Sequence, residues 1–244
     1  MRHFDVVGVV LLAGAAVGIG VGCNALTGSG DLMVISGGAG ASVGAGNGGA
    51  GGAGSETSAS SGMPMTQCVY PTAGLGFGVG NVVPPHRTWQ GFPDNSLATS
   101  MPVKVSFDDY YDCDGSKGIT ALLVDTSALW CGACQEAASH FTQELKSTWA
   151  ALGIHVITLM VDDAQPGQPA TIKTVTGWKT TYKLDNSTVV VDPGFTFAPP
   201  GETTIGLPVE MIVDPRTMKI VTSDEGYSGD YSALVARAKK NAVK

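Results

Sequence analysis

Asp125-Thr126-Ser127-Ala128-Leu129-Trp130-Cys131-Gly132-Ala133-Cys134 is the stretch on which the fold turns. The residues leading into it, 119–125 (ITALLVD), form a short apolar run with branched side chains, the pattern of a buried strand. Beyond it, over 132–152, Ala137, Phe141, Leu145, Trp149 and Leu152 recur every three or four positions, with Gln143, Glu144 and Lys146 on the other side. That spacing predicts an amphipathic helix, stopped by Gly153. Two cysteines separated by two residues therefore sit where a strand becomes a helix. The separation lets the sulfurs close a small disulfide, and the unpaired N–H groups and macrodipole of a helix start favour a thiolate. Cys131, the outer of the two, is the expected nucleophile; Cys134, one turn inside, is expected to resolve a mixed disulfide. The competing reading is half of a zinc site. It needs two further ligands, and neither the distant cysteines nor His140 and His155 supply them by spacing, so no metal is expected.

Working outward, 154–161 (IHVITLMV) reads as a second strand closed by Asp162-Asp163, and 170–184 carries a weaker helical pattern through Ile172, Val175, Trp178 and Tyr182. A short strand at 189–191 follows. Two more, 209–213 and 218–222, flank the turn Asp214-Pro215-Arg216-Thr217, and a closing helix spans 231–243. The order β-α-β-α-β-β-β-α calls for an α/β fold whose central mixed sheet is flanked by helices on both faces.

Composition divides the 244 residues into two unlike parts. Residues 1–62 hold 18 of the 34 glycines and only four charged side chains, Arg2, Asp5, Asp31 and Glu56. Within them, an apolar run from Val6 to Val21 follows a short start with one Arg, the layout of an export signal. Gly20-Val21-Gly22-Cys23 resembles the lipobox of bacterial lipoproteins, with Gly20 in place of the usual Leu; the resemblance implies lipidation of Cys23. The reading is an export signal over 1–22, then a Gly/Ala/Ser-rich disordered tether over 23–66. The folded domain is assigned to 67–244. A whole-chain balance of 14 basic against 21 acidic side chains, without a Lys/Arg cluster, argues against nucleic-acid binding.

The motif Asp125–Cys134 resembles the active-site strand and turn of the thioredoxin superfamily, and Gly206-Leu207-Pro208 before the apolar strand 209–213 looks like that family's cis-proline loop. Gly78–Pro85, then Val105-Ser106-Phe107-Asp108-Asp109-Tyr110-Tyr111, resembles the amino-terminal β extension of the TlpA-like and redoxin-type members, extracytoplasmic proteins typically anchored to a membrane. The resemblance implies a thioredoxin-like fold and a thiol–disulfide oxidoreductase with no cofactor beyond the Cys131–Cys134 disulfide. Asp125 would accept the proton of Cys134. Trp130, Gly132, Ala133, Leu207 and Pro208 would meet the substrate chain. Ala133 replaces the family's usual Pro, and Thr158 stands where many thioredoxins place a lysine beside the buried acid. A capping Asp at the strand end is the alternative for Asp125, and a binding or assembly module with a static disulfide is the alternative for the whole protein. Asp112-Cys113-Asp114-Gly115 is not a calcium loop, since Tyr110 and Ala121 stand where carboxylates are required.

Five cysteines are then apportioned: Cys23 to the lipid, Cys131 and Cys134 to chemistry, and Cys68 with Cys113 to a structural disulfide, as an oxidising compartment favours. The expected setting is the periplasmic side of a bacterial cell envelope. The expected partners are exported protein thiols and disulfides, an upstream electron donor and, through a lipid anchor, the membrane. The protein is expected to be a monomer that reduces its substrates.

Overall fold

The computed structural model describes residues 68–85, 88–197 and 205–242. The export signal, the tether and Cys23 lie outside the described residues. Seven strands form one sheet in the order β2-β1-β5-β4-β3-β6-β7. In chain order they are β1 (Thr88–Phe92), β2 (Val103–Ser106), β3 (Ala121–Ala128), β4 (Ile154–Asp162), β5 (Thr188–Val191), β6 (Val209–Asp214) and β7 (Lys219–Glu225). Three helices interleave: α1 (Gly132–Glu144), α2 (Ile172–Thr181) and α3 (Ser232–Ala242). β3, β4 and β5 are parallel, while β6, β7, β1 and β2 join antiparallel at the two sides. This is a mixed sheet, as the order of elements in the sequence calls for, with β1 and β2 preceding the strand that carries the motif.

Every residue of β3 is buried, because helices or the extension cover both its faces and strands flank both its edges. Side chains alternate between two cores accordingly. Ala121 and Leu123 point to one that also holds Ala137, Phe141, Val175, Trp178 and Leu234 from all three helices. Leu122 and Val124 point to the other, which contains Val82, Val83, Trp89, Phe107 and Tyr110. Helices on both faces are thus not found among the described residues. The face opposite α1, α2 and α3 is covered by the segment before β1 and by a single 3-10 turn, Phe107–Tyr110. Trp89 and Phe197 meet Phe107 edge to face there, at centroid distances of 5.1 and 5.7 Å, so packed aromatic rings fill the space a helix would occupy.

Three boundaries differ from the sequence pattern. β3 runs to Ala128, three residues beyond the apolar run, since Thr126 and Ser127 continue the ladder to β4 despite their polarity. α1 ends at Glu144, and Leu145–Trp149 continues it as one π-helical turn with Leu145 and Trp149 still buried. Gly153 then reverses the chain at φ +74°, where a Cβ would lie 2.3 Å from the Gly118 carbonyl oxygen. Met218, expected to begin a strand, instead takes a left-handed φ of 54° in the β6–β7 turn.

The amino-terminal segment is fastened at both ends. A disulfide joins Cys68 to Cys113 with Cα atoms 5.7 Å apart. Next to it the buried carboxylate of Asp112 receives Arg216 Nη1 at 2.7 Å and the backbone N–H groups of Lys117 and Ile119. Farther along, Gly80 N–H donates to Ile220 O, Ile220 N–H to Asn81 O and Val83 N–H to Met218 O, laying the segment along the outer edge of β7.

Candidate active site

The turn from β3 into α1 is held by backbone and side-chain bonds that leave little freedom. Leu129 N–H donates to Asp162 O, Cys131 N–H to Ala128 O, and Gln135 Nε2 to Leu129 O. Cys131 is the N-cap of α1: its sulfur accepts the N–H of Cys134 at 3.1 Å, answering one of the donors a helix start leaves unpaired. The two cysteines form a disulfide with Cα atoms 5.2 Å apart. Cys134 is fully buried, and Cys131 retains 5% exposure. The more accessible sulfur is therefore the one at the helix terminus, where the macrodipole favours a thiolate after reduction.

Around this pair the remaining sequence candidates fall as follows. Trp130 is 40% exposed, a large apolar surface left open beside the disulfide. Its indole Nε1 donates to Asp162 Oδ2 at 3.2 Å, and Gly167 N–H donates to the same oxygen. A Cβ at Gly132 would meet nothing, so that side of the motif is open, and Ala133 packs against the helix-side core. The Leu207–Pro208 peptide bond is cis. Val209 pairs with Thr126, which carries Pro208 to the level of Ser127, at the end of the sheet where β3 delivers the cysteines. Leu207 packs against the core that contains Cys131 and Cys134. Trp130, the motif and the Leu207–Pro208 loop thus share one end of the molecule.

Asp125 lies inside β3 rather than at its end, so it does not cap the following turn. It is completely buried on the face covered by α1. Its Oδ2 accepts Ser127 Oγ at 2.8 Å, and its Oδ1 has no hydrogen-bond partner among the described residues. Loss of water, with a smaller push from the nearby Glu210, raises its pKa from 3.8 to about 8, against the lowering effect of the Ser127 hydroxyl. A carboxyl group in that range can take or give a proton near neutrality.

Glu210 is a site residue absent from the sequence reading. It is the register partner of Asp125 on β6, is 8% exposed, and accepts Tyr231 Oη at 2.7 Å. Burial pushes its pKa up to about 7, with Asp224 adding to the rise and Tyr231 opposing it. The signal was present as a lone acid in the otherwise apolar run Val209-Glu210-Met211-Ile212-Val213, whose apolar neighbours led the segment to be read as core strand alone.

No family model matches the sequence, and no curated protein matches it. Among solved structures, a protein assigned as the thiol:disulfide interchange protein DsbE of Chlorobium tepidum is 18% identical over 68% of this chain and 99% of its own, with a TM-score of 0.47. The thioredoxin domain of a thiol-disulfide oxidoreductase of Bacteroides vulgatus is 16% identical over 68% and 98%, TM-score 0.43. The exposed lipoprotein thioredoxin of Streptococcus pneumoniae is 16% identical over 63% and 99%, TM-score 0.44.

Proposed function

We propose that the protein is an exported, membrane-tethered oxidoreductase that exchanges disulfides with other proteins through Cys131 and Cys134, working as a reductant. The observation that carries this reading is the closed disulfide at the N-terminus of α1, its outer cysteine the less buried of the two and next to the exposed Trp130, with a buried, protonatable carboxyl group on the same face of the sheet. Export and tethering rest on the apolar run before Cys23 and on the Gly/Ala/Ser-rich stretch after it.

In the reducing direction the Cys131 thiolate attacks one sulfur of a substrate disulfide. That bond breaks, a Cys131–substrate disulfide forms, and the departing substrate thiolate takes a proton from solvent. Cys134 then gives its thiol proton to the Asp125 carboxylate and attacks Cys131 Sγ. The mixed disulfide breaks, the Cys131–Cys134 disulfide closes, the second substrate thiolate takes a proton from solvent, and the substrate leaves as a dithiol carrying two electrons. An upstream dithiol donor reopens the pair. Pro208, set beside the motif at the level of Ser127, shapes the groove in which an extended substrate chain would lie.

Trapping tests the reading. Reduced Cys134→Ser, which keeps the nucleophile and lacks the resolving thiol, should accumulate a mixed disulfide at Cys131 with a peptide disulfide. If no adduct forms while Cys131 is alkylated normally, the pair is a static brace and the protein is a binding module. A redox titration of the pair sets the direction: a potential near about −270 mV supports reduction, and one near about −120 mV reverses it.

A further inference from the structure

Asp125 has a neighbour on each side. On β4 its register partner is Thr158, an uncharged side chain; on β6 it is Glu210. Directly opposed residues on antiparallel strands point to the same face with Cβ atoms about 4.5–5.5 Å apart. That face is the helix side, since Leu123 and Ile212, the next pair along with the same orientation, belong to the core beneath α1. The two carboxyl groups are therefore adjacent in one dry layer with Cys134.

The groups facing them do not neutralise this charge. Glu210 meets Asp125 on β3, Asp224 as its register partner on β7, and Tyr231 at the start of α3, with Tyr227 close by. His140 of α1 reaches the cluster only through aromatic neighbours: its Nδ1 pairs with Tyr227 Oη at 2.6 Å, and its ring meets Tyr231 edge to face at 5.2 Å. Among the described residues, neither Asp125 nor Glu210 makes an ion pair with a lysine, arginine or histidine.

We propose that Glu210 is a positioning residue for the thiol exchange, one that shares a single proton with Asp125 and connects that buried acid to solvent. The proposal rests on the exchange reading above. When the shared proton sits on Glu210, Asp125 is ionised and accepts the proton of Cys134, so the pair briefly holds two. Glu210, the less buried of the two acids, then releases one proton to water and the pair returns to one. The balance is one proton from Cys134 to solvent per closure of the disulfide, and the same steps run backward when the disulfide is reduced. Tyr231 holds the Glu210 carboxylate in place throughout. Because the two acids are alike in sign and side by side, each reports the protonation of the other.

Carboxyl carbon-13 NMR titration of the reduced full chain tests this. In the wild type, Asp125 and Glu210 should each show two inflections. In Glu210→Gln, Asp125 should titrate in one step at a midpoint lower by on the order of one pH unit. The acid limb of the pH profile for closing Cys131–Cys134 from a preformed mixed disulfide should move by the same amount. Glutamine keeps an oxygen for Tyr231, so the thermal midpoint should stay near the wild-type value. An Asp125 titration that superimposes on the wild type overturns the proposal. If Glu210→Gln does not fold, Asp125→Asn decides: Glu210 reduced to one inflection supports the shared proton, and an unchanged two-step curve ends it. Since the titration needs no substrate, a trapped adduct with uncoupled acids defeats this inference alone. Coupled acids without an adduct defeat the exchange reading and leave the coupling standing.

Discussion

A carboxyl group without water around it holds its proton far more tightly than one in an unfolded chain, and Asp125 carries that difference into the stability of the protein. Unfolded, the group loses its proton near 3.8; folded, it keeps it to about 8. The folded state thus binds more protons across that interval. Its stabilisation is complete below about pH 4 and is lost as pH rises through about 8. Asp125→Asn should flatten the decline in urea-unfolding free energy over this window by on the order of a few kcal/mol, leaving the smaller share of Glu210. An unchanged slope would show that the buried acid does not titrate with folding. In the reduced protein the same substitution should slow resolution of the mixed disulfide about 10²-fold or more at neutral pH, with attack by Cys131 little affected, as stopped-flow single-turnover measurements would show.

At the scale of elements, α2 illustrates what periodicity conceals. Its apolar positions Val175 and Trp178 were legible as a buried stripe, whereas nothing in the spacing singles out Lys179, beside them. The side chain is fully buried, and its ammonium donates to the carbonyls of Leu184 at 2.8 Å, Ser187 at 2.6 Å and Pro93 at 3.3 Å. It thereby closes the turn after α2 and fastens that turn to the loop leaving β1. Lys179→Met should lower the unfolding free energy by about 2–3 kcal/mol, because three carbonyls lose a charged donor in a buried place; chemical denaturation would measure it. A loss within experimental scatter would mean that water replaces the ammonium. The strand that decides the site shows the opposite limit. The apolar run of β3 announced itself, but Thr126 and Ser127 did not, since hydropathy cannot register a polar residue buried by strand pairing. Glu210 was hidden for a related reason: its meaning depends on lying opposite Asp125, and register across a sheet is not local information. The two cysteines, by contrast, carry their spacing and context within ten residues.

Considered as a whole, the described fold is a parallel core of three strands finished on one side by β6 and β7 and on the other, beyond β5, by β1 and then β2. Its second face is closed by chain that precedes β1. The Cys68–Cys113 disulfide holds this chain across a sequence separation of 45 residues, which in the chain-entropy model stabilises the fold by about 4 kcal/mol. Replacing both cysteines by serine should lower the urea midpoint accordingly while leaving the Cys131–Cys134 potential near its original value, since the two disulfides lie in different layers. A potential displaced along with the stability would couple the brace to the chemistry. The run of bonds from Gly80, Asn81 and Val83 to Met218 and Ile220 has another consequence. A bare strand edge is an invitation to any passing extended chain, and such an invitation is a hazard. With the amino-terminal segment already seated along Lys219 and Ile220, the start of β7 is refused to guests, and a chain approaching that stretch of the edge finds its N–H and C=O groups already taken.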